Sequence, residues 1–154
     1  MAAHKIIVKG LSELTPDIPI ISEESVLPEF SERSNWPTYW LVDPLDGTKE
    51  FVNRNGEFTV NIALIKGNAP EVGVVCVPVQ DRTYVGNTLT MEARVYSAAG
   101  ERPAKSRRFS EKPNEIKVVA SRSHVSDELR AYLALLDETF SGCLLYTSPS
   151  PRDY

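Results

Sequence analysis

The chain has 154 residues, with 17 Lys and Arg against 21 Asp and Glu, a formal charge of −4 and 42% hydrophobic residues. This composition is typical of a globular domain, and the length fits one domain or a piece of a larger one. The acidity argues against a nucleic-acid partner, which requires clustered Lys and Arg. Without an apolar run of roughly 20 residues or a signal peptide, we expect a cytoplasmic protein without integral membrane association. Peripheral membrane association and the oligomeric state stay open.

The first predicted elements are a helix and two strands. Apolar residues at helical spacing predict a helix from Met1 to Gly10, where the glycine can end it. Residues 18–21 indicate a short buried strand, and the polar segment 26–37 indicates a loop. A second strand at residues 39–42 should stop at Asp43-Pro44, because proline lacks an amide hydrogen and restricts the residue before it.

A turn and a short helix should follow the second strand. Gly47 permits a tight backbone, and Thr48 is a suitable N-cap for a helix over residues 49–52. The rest of the chain predicts an antiparallel hairpin, further strands and one amphipathic helix. These are strands at 58–66, 72–77, 82–85, 91–97 and 116–120, and a helix at 127–140 capped by Ser126. The expected class is α+β, an antiparallel sheet layered with helices.

Composition divides the chain into residues 1–113, 114–140 and 141–154. Polar residues mark the first boundary. The last segment has two closely spaced prolines and no hydrophobic periodicity, and residues 144–153 resemble an adapter-derived stretch that recurs at the ends of predicted proteins from assembled transcripts. We therefore expect a tail that is unrelated to the domain, with a disordered terminus as the alternative.

Two carboxylates mark the candidate site. Asp43 and Asp46 lie at the end of a buried strand, and two anions so close together are unfavourable unless a cation joins them. Mg²⁺ is the natural partner, because it takes few protein oxygens and retains waters, and the Leu45 carbonyl could be a further ligand. Asp-Pro and Asp-Gly are also common turn dipeptides, so a plain turn is the alternative interpretation.

A phosphate site could adjoin the metal. Gly47 and Thr48 open a helix whose first amides lack partners within it, and such amides bind phosphate. Glu23 or Glu24, at the end of the preceding strand, could add a ligand or orient a water molecule if the two strands are neighbours. Adjacent binding sites for a metal ion and a phosphate are the arrangement that phosphoryl transfer requires.

Several motifs resemble one enzyme family. Residues 40–51, W-L-V-D-P-L-D-G-T-K-E-F, resemble the signature of the inositol monophosphatase superfamily, and the T-K-E-F ending resembles its 3'(2'),5'-bisphosphate nucleotidase branch. The segments P-I-I-S-E-E at 19–24, N-G-E-F-T-V-N-I-A-L at 55–64 and S-R-S-H at 121–124 are also similar. The resemblance therefore extends over most of residues 2–140.

The resemblance implies the family's layered sandwich and a lithium-sensitive, Mg²⁺-dependent phosphomonoesterase. Its substrate would be a small nucleotide bisphosphate, adenosine 3',5'-bisphosphate or its sulfated analogue, in sulfur metabolism. The implied roles fall on seven residues. Metal ligands would be Glu23, Asp43, the Leu45 carbonyl and Asp46; substrate would contact Leu45, Asp46, Gly47, Thr48 and Lys49; and Glu23 and Thr48 would position the attacking water.

The sequence also departs from the family. The first helix looks shortened, and the later Trp-Asp motif and a Gly-Ser-Ser-like segment are absent. We therefore expect a fold incomplete at both ends and a chain of little or no activity. Two alternatives stay open: a phosphatase of the same superfamily acting on inositol phosphates or fructose bisphosphate, and a non-catalytic metal- or nucleotide-binding fragment.

Overall fold

The computed structural model describes residues 2–105, 116–121, 126–139 and 143–148. The helices in these ranges are α1 Ala2–Leu14, α2 Phe30–Arg33, α3 Thr48–Val52 and α4 Asp127–Thr139, with a 3₁₀ turn at Pro78–Gln80. The strands are β1 Ile20–Ser22, β2 Thr38–Asp46, β3 Thr59–Lys66, β4 Ala69–Val77, β5 Arg82–Asn87, β6 Glu92–Ser97, β7 Gly100–Pro103, β8 Ile116–Ser121 and β9 Cys143–Ser148. None of the described helices is long and apolar enough to span a bilayer.

Seven strands form one sheet in chain order, β1 to β7. β1 runs parallel to β2, and each later strand is antiparallel to its neighbour. The predicted α+β class with a mainly antiparallel sheet is therefore confirmed. β8 and β9 form a separate parallel pair.

Strand β2 separates two faces of the sheet. Trp40 and Val42 point to one face and are 9% and 1% exposed, whereas Leu41, on the other face, is 45% exposed. We call these the helix face and the groove face. Helix α1 covers the helix face: the Trp40 indole Nε1 donates to Thr15 Oγ1, just after the helix, at 2.9 Å. His4, within α1, hydrogen-bonds Ser22 Oγ on β1 through Nδ1 at 2.9 Å. Half-buried residues recur along α1 at helical spacing, which explains the docking: His4, Ile7, Val8 and Leu11.

Two predicted boundaries are wrong. Helix α1 does not end at Gly10 but continues to Leu14, because an exposed interior glycine costs a helix only about 1 kcal/mol. Strand β2 does not stop at Asp43 but continues to Asp46. Pro44 is tolerated there because the β2–β3 register shifts between Asp43 and Asp46, and a proline can sit at such an irregularity.

Three short elements were not predicted. Helix α2 lies within the expected loop, β7 lies within the expected polar boundary, and β9 lies within the expected tail. β7 pairs with β6 and β9 pairs with β8, so each strand exists through a neighbour rather than through its own hydrophobic pattern. Residues 106–115, 122–125 and 149–154 lie outside the described residues, and the three-part division of the chain stays a prediction.

Substitutions at adjacent positions should distinguish the two faces. Trp40→Ala should lower the free energy of unfolding by about 3–5 kcal/mol, because it removes a buried indole and its hydrogen bond. Leu41→Ala, the matched control on the groove face, should cost about 1 kcal/mol or less. Urea unfolding followed by circular dichroism measures both, and equal losses would contradict the assignment of faces.

Candidate metal and phosphate site

A β-bulge in β2 brings the two aspartates to one face. Asp43 pairs with Asn61 on β3, and Asp46 pairs with Thr59. Three steps along β2 therefore match two steps along β3, so β2 contains an extra residue. In a regular strand, residues three positions apart point to opposite faces. The extra residue shifts the alternation of side chains by one position, so both carboxylates lie on the groove face.

Parallel pairing of β1 with β2 places Glu23 next to Asp43. Ser22 is opposite Val42, and the backbone N–H of Glu23 donates to the Val42 carbonyl at 3.1 Å. The Glu23 side chain lies close enough to Asp43 to raise the pKa of its carboxyl group. The sequence could name Glu23 as a ligand only if β1 and β2 were neighbours, and the structure satisfies that condition. Glu23 and Glu24 are both exposed, but Glu23 is the one whose charge acts on Asp43.

The environment of Asp43 disfavours its ionised form. Burial raises the pKa of Asp43 from 3.8 to about 6, and the nearby charges of Glu23 and Asp46 act in the same direction. The Leu45 backbone N–H, which donates to Asp43 Oδ1 at 3.0 Å, opposes the increase. A carboxylate in this environment gains from an added cation, which would relieve both the desolvation and the repulsion.

Asp46 is held by two residues of β3 that the sequence analysis missed. Asp46 Oδ2 accepts hydrogen bonds from Asn61 Nδ2 at 3.0 Å and, at the geometric limit, from Thr59 Oγ1 at 3.5 Å. Both residues lie in the strand predicted at residues 58–66. The sequence does show two polar residues two positions apart on a mostly apolar strand, a pattern that could have marked them as site residues. Only the pairing of β2 with β3 shows that their partner is Asp46.

The turn after Asp46 differs from the predicted one. The N-cap of α3 is Gly47 rather than Thr48, and its backbone is left-handed with φ +89°. Thr48 is the first helical residue, and its hydroxyl donates to the Leu45 carbonyl at 3.4 Å. A Cβ at position 47 would lie 3.1 Å from the Glu57 carbonyl oxygen, so both conformation and space select glycine. Lys49 follows on the exposed surface.

The donor set suits a hard cation. The charges of Glu23 and Asp46 both raise the pKa of Asp43, so the three carboxylates lie near one another. Carboxylate oxygens are the ligands that Mg²⁺ prefers. Within the described ranges, no group of three or more His, Cys, Asp or Glu side chains is arranged to hold a metal ion. Mg²⁺ normally uses one or two carboxylates together with waters and substrate phosphates, so this sparse arrangement fits Mg²⁺ better than a metal requiring a full protein cage.

An apolar groove extends from the carboxylates across the sheet. It encloses about 550 Å³, with Glu23 and Asp43 at its polar end and Ile21, Leu41 and Val75 among its apolar residues. Leu41 and Val75 are 45% and 40% exposed. The site therefore lies at the edge of an uncovered apolar surface.

This chain is similar in sequence to known proteins. The profile of the inositol monophosphatase family matches residues 1–142. The 3'(2'),5'-bisphosphate nucleotidase CysQ of Salmonella typhimurium is 49% identical over 139 residues, covering 90% of this chain and 53% of that protein. CysQ of Escherichia coli K12 is 46% identical over 144 residues, with the same coverage of 90% and 53%.

Solved structures show the same relationship. The crystal structure of CysQ from Bacteroides thetaiotaomicron superposes with a TM-score of 0.79 at 36% identity, covering 94% of this chain and 56% of that one. Inositol monophosphatase II of Staphylococcus aureus shares the fold at a TM-score of 0.72 and 21% identity, covering 96% of this chain and 53% of that one.

The fold is that of the metal-dependent phosphatases related to inositol monophosphatase, and the chain belongs to the inositol monophosphatase family. The family resemblance seen in the sequence is thus confirmed. The chain spans about half the length of the curated relatives that it matches.

Gly47 should be required for stability. Gly47→Ala places a side chain in a left-handed conformation and against the Glu57 carbonyl, so we expect a loss of about 1–3 kcal/mol in the free energy of unfolding. Gly10→Ala is the matched control, because nothing lies within 4 Å of its added Cβ; it should stabilise the helix by about 0.5–1 kcal/mol. Urea unfolding measures both, and a neutral Gly47→Ala would refute the requirement.

Asp43 should make the metal-free chain less stable as pH rises. Its folded-state pKa of about 6 exceeds the ordinary 3.8, so the folded chain binds this proton more tightly and loses stability between about pH 4 and pH 6. Asp43→Asn preserves an acceptor for the Leu45 N–H and removes the charge. In EDTA at pH 7 it should therefore melt at a higher temperature than wild type, with the difference vanishing near pH 4.

Exposed Asp17 provides the control for this pH effect. Asp17→Asn should leave the pH profile of thermal melting unchanged. If the difference between Asp43→Asn and wild type is the same at pH 4 and pH 7, the proposed environment of Asp43 is wrong.

Proposed function

We propose that this site is the metal- and phosphate-binding part of a Mg²⁺-dependent phosphomonoesterase. Its substrate would be adenosine 3',5'-bisphosphate or its sulfated analogue, which places the reaction in sulfur metabolism. The observation that carries the proposal is the bulge that gathers Asp43 and Asp46 next to Glu23, directly before the Gly47 turn. The CysQ relatives, named as 3'(2'),5'-bisphosphate nucleotidases, support the choice of substrate. A cytoplasmic location stays a prediction from the sequence.

The cation would be held by the carboxylates of Glu23, Asp43 and Asp46 and the carbonyl of Leu45. Bound there, Mg²⁺ would neutralise phosphate charge and acidify a water molecule. The low stability of the ionised Asp43 carboxylate favours this binding, because the protein has already desolvated the charge that the cation compensates.

Residues of the chain would bind the phosphate and position the attacking water. Backbone amides at Gly47 and Thr48 would anchor the phosphate, since the first amides of a helix lack partners within it. Glu23 and the Thr48 hydroxyl would position a water for attack on phosphorus, with Glu23 accepting its proton. The bond from phosphorus to the 3'-oxygen breaks, giving adenosine 5'-phosphate and inorganic phosphate. Lys49 would favour a substrate carrying two phosphates.

A non-catalytic metal- or nucleotide-binding role is the second candidate. The environment of Asp43 favours a bound cation whether or not phosphate is released, because the carboxylate is already desolvated.

Mg²⁺ titration combined with phosphate release tests the proposal. The 154-residue chain should bind Mg²⁺, and any phosphate release should require Mg²⁺, be inhibited by Li⁺ and favour adenosine 3',5'-bisphosphate over inositol 1-phosphate and fructose 1,6-bisphosphate. Asp46→Asn should weaken Mg²⁺ binding by about 10–100-fold or more, whereas Asp17→Asn should not change it.

The outcomes separate the candidates. Mg²⁺ binding without phosphate release would support the non-catalytic role, and faster release from inositol 1-phosphate would indicate the other branch of the superfamily. Absence of Mg²⁺ binding, or equal binding by wild type and Asp46→Asn, would overturn the metal site itself.

A further inference from the structure

Asn61 lies at the junction of the carboxylates and the groove. On β3 it is paired with Asp43 of β2 on one side and with Val75 of β4 on the other. It lines the same groove as Glu23 and Asp43. Its side chain is therefore the polar group between the acidic site and the apolar surface.

The two ends of the Asn61 amide are not equivalent. A carboxylate only accepts hydrogen bonds at neutral pH, so the end facing Asp46 must be the NH₂ group, and Nδ2 donates to Asp46 Oδ2 at 3.0 Å. The Thr59 hydroxyl reaches the same oxygen at 3.5 Å, where a hydrogen bond is weak. Asn61 therefore sets the orientation of this carboxylate, and neither hydrogen bond uses Asp46 Oδ1.

The other end of the amide is buried without a partner. Asn61 Oδ1 has no hydrogen bond although it is inaccessible to solvent. An unsatisfied buried acceptor costs about 1–3 kcal/mol. The amide is therefore kept at this position at a cost in stability.

We propose that Asn61 is a positioning residue for Asp46. It commits Oδ2 to the Asn61 amide, which leaves Asp46 Oδ1 for the cation. This role rests on the proposed function, because it concerns the same cation. It parallels a general property of metal sites, in which a partner that orients a ligand contributes about 10–100-fold to metal affinity.

Mg²⁺ titration calorimetry on the full chain tests the role. Asn61→Leu has a similar size but cannot donate or accept, and should weaken Mg²⁺ binding by about 10–100-fold. Asn61→Ser keeps a shorter donor and acceptor and should recover part of the affinity. Asn68→Leu, at an exposed turn next to β3, is the matched control and should bind as wild type. Thr59→Val should change affinity by less than about twofold, since its hydrogen bond is weak.

Nuclear magnetic resonance provides a second measurement. The side-chain NH₂ signal of Asn61, identified by its loss in Asn61→Ser, should shift on addition of Mg²⁺, whereas that of Asn68 should not. This observation does not depend on turnover.

The possible results separate a failure of the Asn61 proposal from a failure of the proposed function. If wild type binds Mg²⁺ and Asn61→Leu binds equally well while melting at a different temperature in EDTA, Asn61 has only a structural role and the inference is overturned. If Asn61→Leu does not fold, unchanged Mg²⁺ affinity in Asn61→Ser together with an unshifted NH₂ signal overturns it. If wild type binds no Mg²⁺, the proposed function and the role of Asn61 are both wrong.

Discussion

The extra residue in β2 between Asp43 and Asp46 is the constraint on which the site depends. Side chains alternate between the faces of a strand, so two aspartates three positions apart would otherwise lie on opposite sides of the sheet. The bulge reverses that parity and brings both carboxylates to the groove face. It also accommodates Pro44, which is buried and cannot donate a hydrogen bond to the neighbouring strand. The bulge thereby brings the two carboxylates to the same face of the sheet, immediately before Gly47.

The same arrangement costs stability in the absence of a cation. Burial and neighbouring carboxylates raise the pKa of Asp43 to about 6, so its ionised form is unfavourable near neutral pH. The surrounding framework compensates: Trp40 and Val42 are buried against α1, and the adjacent β1 and β3 fix the positions of Glu23, Asn61 and Thr59. Carboxylates with a raised pKa are typical of functional sites. A ligand that binds only the folded state increases the free energy of unfolding and so offsets their cost.

The groove gives the site an asymmetric environment. The helix face is packed, whereas the groove face combines exposed Leu41 and Val75 with the buried amide of Asn61. Family membership accounts for the fold and the acidic motif, and the chain spans about half of its curated relatives. The acidic site therefore borders an apolar surface, with few described ligands for a metal.

The sequence by itself determined the class of fold, most of the strands and the acidic motif, because these depend on local composition, alternation and the identity of adjacent residues. It placed Asp43, Asp46 and Gly47 in one turn, yet it ended β2 at Asp43 and assigned the N-cap to Thr48. Tertiary structure decided that Gly47 caps α3, that β7 and β9 exist, that Glu23 meets Asp43, and that Asn61 holds Asp46. The reason is physical: strand pairing and register join residues distant along the chain, and no local pattern specifies which partner stands opposite a given side chain.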